Sequence, residues 1–271
     1  MPALYVVATP IGNLEDISLR ALKILGGVKL IAAEDTRSAR KLLSAHHVST
    51  PVTSFHEFTG KEKTSRLISA MADADIALIS EAGMPGISDP GYDLINAAIG
   101  AGIKVIPVPG PSAVVSALAV SGLPADQFLF LGFLPRRSGD RKRLLKAVSD
   151  EERTLAAYEA PHRLKEALVD ILGLLGDRRI AVCREMTKLH EEIFRGTVSE
   201  AIKYFTVPRG EITLVVAGRQ KDVDPEITGE IRAELRRLRN DGLSAGEAAK
   251  QVSRKTGLPR RRLYEAVHNL K

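Results

Sequence analysis

The chain contains a single cysteine, Cys183. One thiol excludes an internal disulfide and a cysteine-ligated zinc site, and it fits a reducing, cytoplasmic compartment. No apolar run approaches the roughly 20 residues a membrane-spanning helix needs, so no membrane partner is expected. The opening residues, Met1-Pro-Ala-Leu-Tyr-Val-Val7, lack a basic leader and read as a first strand, not a signal peptide. Two nucleotide signatures are also missing. The loop at 9–16 is not G-x-G-x-x-G, and G-x-x-x-x-G-K-[ST] occurs nowhere, so neither a dinucleotide fingerprint nor a P-loop is present. No ligand cluster has metal-like spacing, and no metal is expected.

What remains is substantial. A chain of 271 residues, 44% of them hydrophobic, can fold as two domains with proper cores. Its net charge of +6 is unevenly placed. Residues 225–271 hold 11 Lys and Arg against 6 Asp and Glu, whereas the remaining 28 and 27 nearly cancel. A basic tail of this kind faces either a polyanion or plain solvent.

Short apolar runs at 4–8, 28–33, 76–80 and 104–108 alternate with helical patterns near 18–25, 36–44, 91–101 and 112–121. This alternation predicts a mostly parallel, doubly wound sheet. After Gly122-Leu-Pro124 the pattern restarts, with strands at 128–133, 154–158, 180–184, 191–198 and 213–217. Helices are expected near 140–149, 163–173 and 199–205. The predicted fold class is therefore α/β, with two domains at 1–116 and 117–221 and a small helical appendage at 222–271.

Ligands of such sheets bind at the carboxyl ends of the strands. The loops there are 9–16, SEAGMPGISDPG at 80–91 and Val108-Pro-Gly-Pro-Ser-Ala113, where Ser112 can cap the next helix. Phosphate wants backbone N–H groups and basic side chains. Proline removes the donor, and Glu81 and Asp89 repel a polyphosphate. Carbonyls and carboxylates suit a cation, an ammonium or a ribose diol instead. S-adenosylmethionine carries all three.

The runs VATPIGNLEDIS (7–18), AAEDTR (32–37), SFHE (54–57), SEAGMPGISDPG (80–91) and PVPGPSA (107–113) together resemble one family. So do FLPR (133–136), YEAPHR (158–163), REMTKLHEE (184–192) and RGEITLVV (209–216). The family is the small-subunit ribosomal RNA cytidine 2′-O-methyltransferases of the tetrapyrrole methylase superfamily. The resemblance implies two α/β domains with S-adenosylmethionine in the cleft between them, a homodimer, and a small-ribosomal-subunit RNA substrate. It implies cofactor contacts at Pro10, Gly12, Glu81, Ala82, Gly83, Pro85, Gly86, Asp89, Pro109, Gly110, Ser112 and Ala113. In the second domain it adds Glu159, Pro161, His162, Pro208, Gly210 and Glu211, through backbone.

Transfer to a ribose hydroxyl needs a proton acceptor, for which Asp35, His56 and Glu81 are candidates. Asp35 can equally cap the following helix, with Arg37 on a phosphate or in an ion pair. His56 reads as a base or as a loop histidine. Arg184, Glu185, Lys188, Glu191 and Glu192 read as a surface ion network. Arg136, Arg137, Arg141, Lys142 and Arg143 form a basic run suited to RNA backbone.

The tail reads as three helices: 227–239, one opened by the capping box Ser244-Ala-Gly-Glu247 and closed at Gly257, and 260–270. The arrangement resembles a helix-turn-helix, with Arg260, Arg261 and Arg262 on RNA. Two alternatives share these features: methylation of a tetrapyrrole or other small molecule, and a non-catalytic RNA-binding assembly factor.

Overall fold

The structure, a computed structural model, describes residues 2–56, 60–220 and 227–268. It divides into two compact units, 1–219 and 220–271. The boundary expected at 221/222 lies outside the described residues.

The first sheet is built from β1 (Ala3–Val7), α1 (Leu19–Gly27), β2 (Leu30–Ala33), α2 (Thr36–Ala45), β3 (Val52–Ser54), α3 (Lys61–Ala70), β4 (Ile76–Ile79), α4 (Tyr92–Gly100) and β5 (Lys104–Val108). Its strand order is β3-β2-β4-β1-β5, parallel throughout. Alternation of side chains across each strand fills two cores. Val7, Ile31, Ala33, Ala77 and Ile79 pack under α1 and α2. Leu4, Ala32, Ile76 and Leu78 pack on the other face, against α3 and α4. The sheet is thus doubly wound, as the alternation predicts. β3 and α3 were not foreseen. The strand is three residues long, only half-buried and on the sheet edge, so it leaves little periodic signal.

Next in the chain is α5 (Ala113–Ser121), which spans the boundary expected at 116/117. Its Val114, Ala117 and Leu118 pack with Ala156, Ala181 and Val215 of the second sheet, so the helix belongs there. That sheet comprises β6 (Phe128–Phe133), α6 (Ser138–Ala147), β7 (Thr154–Glu159), α7 (Leu164–Leu175), β8 (Arg179–Arg184), β9 (Glu192–Thr197), α8 (Val198–Tyr204) and β10 (Ile212–Val216). The order is β6-β7-β10-β8-β9, with β6 and β7 parallel and the other pairs antiparallel. Strand polarity is invisible to hydrophobic pattern, which is why this mixed sheet was not anticipated.

One basic residue expected on RNA is withdrawn by the fold. Arg141 is 1% exposed and its guanidinium donates to Asp170 at 2.7 Å. It lies four residues before Leu145 on the inward face of α6. Nearby, Glu159 is buried and paired with Arg163 at 2.5 Å. Among the described residues, Arg141 Nη1 and Glu159 Oε2 have no hydrogen-bond partner.

The second unit comprises α9 (Gly229–Asn240), α10 (Ala245–Thr256) and α11 (Arg260–His268). Leu235, Leu238, Ala248, Ala249, Val252, Leu258, Leu263 and Val267 form its core. Ser244 and Glu247 make the expected capping box, and Gly257 closes α10 in the left-handed region. The expected continuation of α11 to 270 lies outside the described residues. No helix among the described residues is long and apolar enough to cross a membrane.

Asp170→Ala should lower unfolding stability by about 3–5 kcal/mol, because it leaves Arg141 charged and buried with only the exposed Glu166, 3.6 Å away, as a partner. The double change Arg141→Met with Asp170→Leu should restore most of it. Urea unfolding measures both, and a loss below about 1 kcal/mol for the single change would remove the pair from the core's energetics.

Candidate cofactor rim at the strand ends

Thr9 and Gly83 exchange both backbone hydrogen bonds, at 2.9 and 3.0 Å, and so tie the loop after β1 to the loop after β4. The Thr9 hydroxyl lies 3.3 Å from the Ser80 carbonyl, and the Ser80 hydroxyl 3.4 Å from that of Ala82. The loop after β5 meets the same place. A Cβ at Gly110 would lie 3.0 Å from Ala8 Cβ, so a larger residue there would have to push Ala8 aside. A Cβ at Gly83 would face Ile11 and the Pro111 carbonyl. Pro10, Gly12, Ala82, Gly83, Pro85, Gly86, Pro109, Gly110 and Ser112 therefore belong to three loops at one end of the sheet, and Ala113 is the first residue of α5. Ser112 occupies the N-cap position of α5, but its side chain makes no cap hydrogen bond.

The second sheet reaches this rim. A Cβ at Gly12 would lie 2.5 Å from Lys188 Cγ, 2.7 Å from Thr187 Oγ1 and 2.8 Å from the Met186 carbonyl. Asn13 N–H donates to Thr187 Oγ1 at 3.0 Å. Lys188 in turn binds Glu185 at 2.9 Å and Glu211 at 3.0 Å. Glu211 N–H donates to Glu185 Oε1 at 2.9 Å. The Pro208–Gly210–Glu211 turn is thereby joined through the 185–188 loop to Gly12. Of the expected ion network, Arg184 pairs with Glu192 at 2.7 Å and Lys188 with Glu185, whereas the Glu191 carboxylate accepts from Thr187 N–H at 2.6 Å. On β7, the Glu159 carboxylate is buried and accepts from Ala160 N–H at 2.7 Å. Pro161 and His162 open the 3-10 turn that follows.

The rim is acidic. Glu81 N–H donates to the Glu34 carboxylate at 3.3 Å, and Ser38 donates to Glu81 Oε1 at 3.4 Å. Burial pushes the Asp89 carboxyl up to about 6, against a hydrogen bond from Ser80 and with help from the charges of Glu34 and Glu81. Tyr158 is raised by burial first, and also by the Asp89 charge. Neither Glu34 nor Tyr158 was singled out from sequence. Glu34 could have been, since it directly precedes Asp35 at the end of β2.

Asp35, His56 and Glu81 follow β2, β3 and β4, three neighbouring parallel strands, and so share one side of the rim. Asp35 is the N-cap of α2, accepting from Arg37 N–H at 2.6 Å and Ser38 N–H at 3.3 Å. Those backbone hydrogen bonds hold its carboxyl below the usual range. Arg37, Arg136, Arg137, Lys142 and Arg143 are exposed. Lys142 also pairs with Asp170 at 3.5 Å and Arg143 with Asp140 at 3.3 Å. Among the described residues no three or more His, Cys, Asp or Glu are arranged to hold a metal ion.

A set of carboxylates, carbonyls and close-approach glycines fits the cation and diol of S-adenosylmethionine and disfavours a polyphosphate. The comparisons agree with that chemistry. Residues 3–202 match the Tetrapyrrole (Corrin/Porphyrin) Methylases, and residues 225–271 match the RsmI C-terminal HTH domain. The chain is 47% identical to Ribosomal RNA small subunit methyltransferase I of Synechocystis, over 98% of this chain and 97% of that protein. It is 49% identical to the protein of that name from Thermotoga maritima, over 81% of this chain and all of that one. Uroporphyrin-III-C-methyltransferase from Thermus thermophilus shares the fold, with a TM-score of 0.57 at 20% identity, covering 80% of this chain and 94% of that one. A diphthine synthase does so with a TM-score of 0.61 at 16% identity, covering 79% and 90%.

The Asp89 carboxyl gives a pH signature. Its native pKa lies above the unfolded value of about 3.9, so the native state holds the proton more tightly. This group's contribution to stability therefore falls as pH rises from about 4 to about 6. Comparing melting temperature against pH for wild type and Asp89→Asn isolates it. The variant should lose that decline, and parallel curves would mean that Asp89 titrates normally.

Proposed function

The chain belongs to the small-subunit ribosomal RNA methyltransferase I family, built on the tetrapyrrole methylase fold, and we propose that it methylates the ribose 2′-hydroxyl of a cytidine in that RNA. It is an S-adenosylmethionine-dependent methyltransferase. The observation that carries the reading is the acidic, carbonyl-rich rim, which favours a sulfonium and an ammonium over a phosphate.

When bound, S-adenosylmethionine supplies a methyl group already activated by the positive sulfur. The chain's own work is then alignment, exclusion of water and removal of one proton. Glu34, Glu81 and Asp89 supply a negative field for the cation, and Ala82, Pro109 and the loop carbonyls supply acceptors for the diol and ammonium. Gly12, Gly83, Gly86 and Gly110 let backbone come close.

Of the three proton acceptors, Asp35 is committed to the N-terminus of α2, and a carboxylate held below its usual range is a weaker base. We assign the proton to Glu81, with His56 as the alternative. In single turnover, Glu81→Gln should lower the rate by roughly 10²–10⁴, whereas Asp35→Asn should act mainly on stability. The reverse order would return the role to Asp35.

The partner is small-subunit ribosomal RNA, gripped by Arg37, Arg136, Arg137, Lys142 and Arg143 and by the tail arginines Arg260, Arg261 and Arg262. A homodimer in the cytoplasm completes the proposal, as the resemblance implies. The direct test transfers a labelled methyl group to small-subunit RNA and then hydrolyses it in alkali. A 2′-O-methyl blocks cleavage at the next phosphodiester, so the label should remain in an alkali-resistant dinucleotide. Label released in mononucleotides would mean base methylation. Label entering a tetrapyrrole and not RNA would mean a small-molecule enzyme.

Replacing Arg260, Arg261 and Arg262 together by Ala should weaken RNA binding and make log affinity less steep against log salt, since fewer phosphates are neutralised. Cofactor affinity should stay unchanged. Identical salt slopes would mean that these arginines do not meet phosphate.

A further inference from the structure

The second unit has one Phe, Trp or Tyr residue in its whole sequence, Tyr264, and its ring is not in the core. Leu263 and Val267 of α11 point inward. Tyr264 lies on the flank of α11 beside them, 44% exposed, three and four residues after Arg261 and Arg260. A small three-helix domain normally spends its aromatic on the core, where burial is most stabilising. Here the core is aliphatic and the aromatic is outside.

The segment that precedes it is strongly basic. The segment from Arg254 to Arg262 reads Arg-Lys-Thr-Gly-Leu-Pro-Arg-Arg-Arg, five cations and no acid. Nearby acids are Glu265, which pairs with Arg261 at 3.3 Å, and Glu234, which pairs with Lys255 at 3.5 Å. Arg260 donates to the Gly246 carbonyl at 3.3 Å. Tyr264 is held from below by His268, the two rings meeting edge to face with centroids 4.7 Å apart.

A helix-turn-helix on DNA lays its second helix in the major groove. The major groove of A-form RNA is deep and narrow, and side chains cannot read it, so that docking is closed to an RNA ligand. Single-stranded RNA presents a different need, a basic track for phosphates beside an aromatic face for an unstacked base. Resting on the RNA-methyltransferase reading above, we infer that the outer face of α11 is a single-strand platform. Tyr264 stacks one unpaired base of the RNA, and Arg260 and Arg261 hold its flanking phosphates.

The chain contains no tryptophan, which makes the test clean. Tyr264→Trp introduces one fluorophore at the proposed stacking face of the full-length protein. Titration with single-stranded oligo(U) should quench its emission, and oligo(U) annealed to oligo(A) should quench it much less. Tyr264→Ala should bind oligo(U) roughly tenfold more weakly, with Tyr264→Phe near wild type and S-adenosylmethionine affinity equal in all three. Emission insensitive to oligo(U) that binds with wild-type affinity would overturn the platform while leaving the methyltransferase reading intact. Equal quenching by duplex and single strand would also overturn it. A protein that methylates no RNA and binds no oligonucleotide would remove the platform together with the reading on which it rests.

Discussion

The site depends on the reciprocal hydrogen bonds between Thr9 and Gly83. Two loops leave neighbouring parallel strands, β1 and β4, each with carbonyls to satisfy. Pairing one residue from each converts two flexible connections into a short antiparallel ribbon at the end of the sheet. The Thr9 hydroxyl adds a further tie at Ser80. From that ribbon Ile11 and Gly12 run towards the 186–188 loop, and the 84–89 turn carries Asp89 back beside Ser80. Without it, the acids and the glycines would have no fixed relation.

Charge is then sorted by the job each region performs. Glu34, Glu81 and Asp89 concentrate negative charge at the rim, and Asp89 rises to about 6 mainly because it is buried, with smaller contributions from the charges of Glu34 and Glu81. Such a field repels a nucleic acid. A polyanionic substrate therefore needs its own attractive surface, the role proposed for the exposed cations of residues 136–143 and for the basic tail. Arg141 shows that composition alone misjudges membership: one arginine of that run is structural, neutralised inside α6 and α7 by Asp170.

Much of this was legible before any coordinates. The strand-helix alternation is strong for β1, β2 and β4, which are buried on both faces, and the edge strand β5 still carries an apolar run; all four were found within two residues at each end. The capping box at Ser244 and the glycine at 257 are local signals whose physics is complete within a few residues, and they located α10. What escaped depends on partners far away in sequence. The polarity of β10 is set by its neighbours β7 and β8, and the edge strand β3 is too short to carry a period. Arg141 could have been recognised from its four-residue spacing to Leu145. The roles of Asp35 and Glu81 were not separable, because a helix cap and a base look alike in sequence, and the hydrogen bonds to Arg37 and Ser38 distinguish them only in three dimensions.

The central claim is that the ribbon and its acidic loops form the S-adenosylmethionine site. A crystal structure of the chain with S-adenosylmethionine or S-adenosylhomocysteine tests it most directly. Ligand density should be bounded by the loops after β1, β4 and β5, within reach of Glu81 or Asp89 and of the Pro208–Glu211 turn. Density elsewhere, with the Thr9–Gly83 ribbon facing bulk solvent, would contradict it.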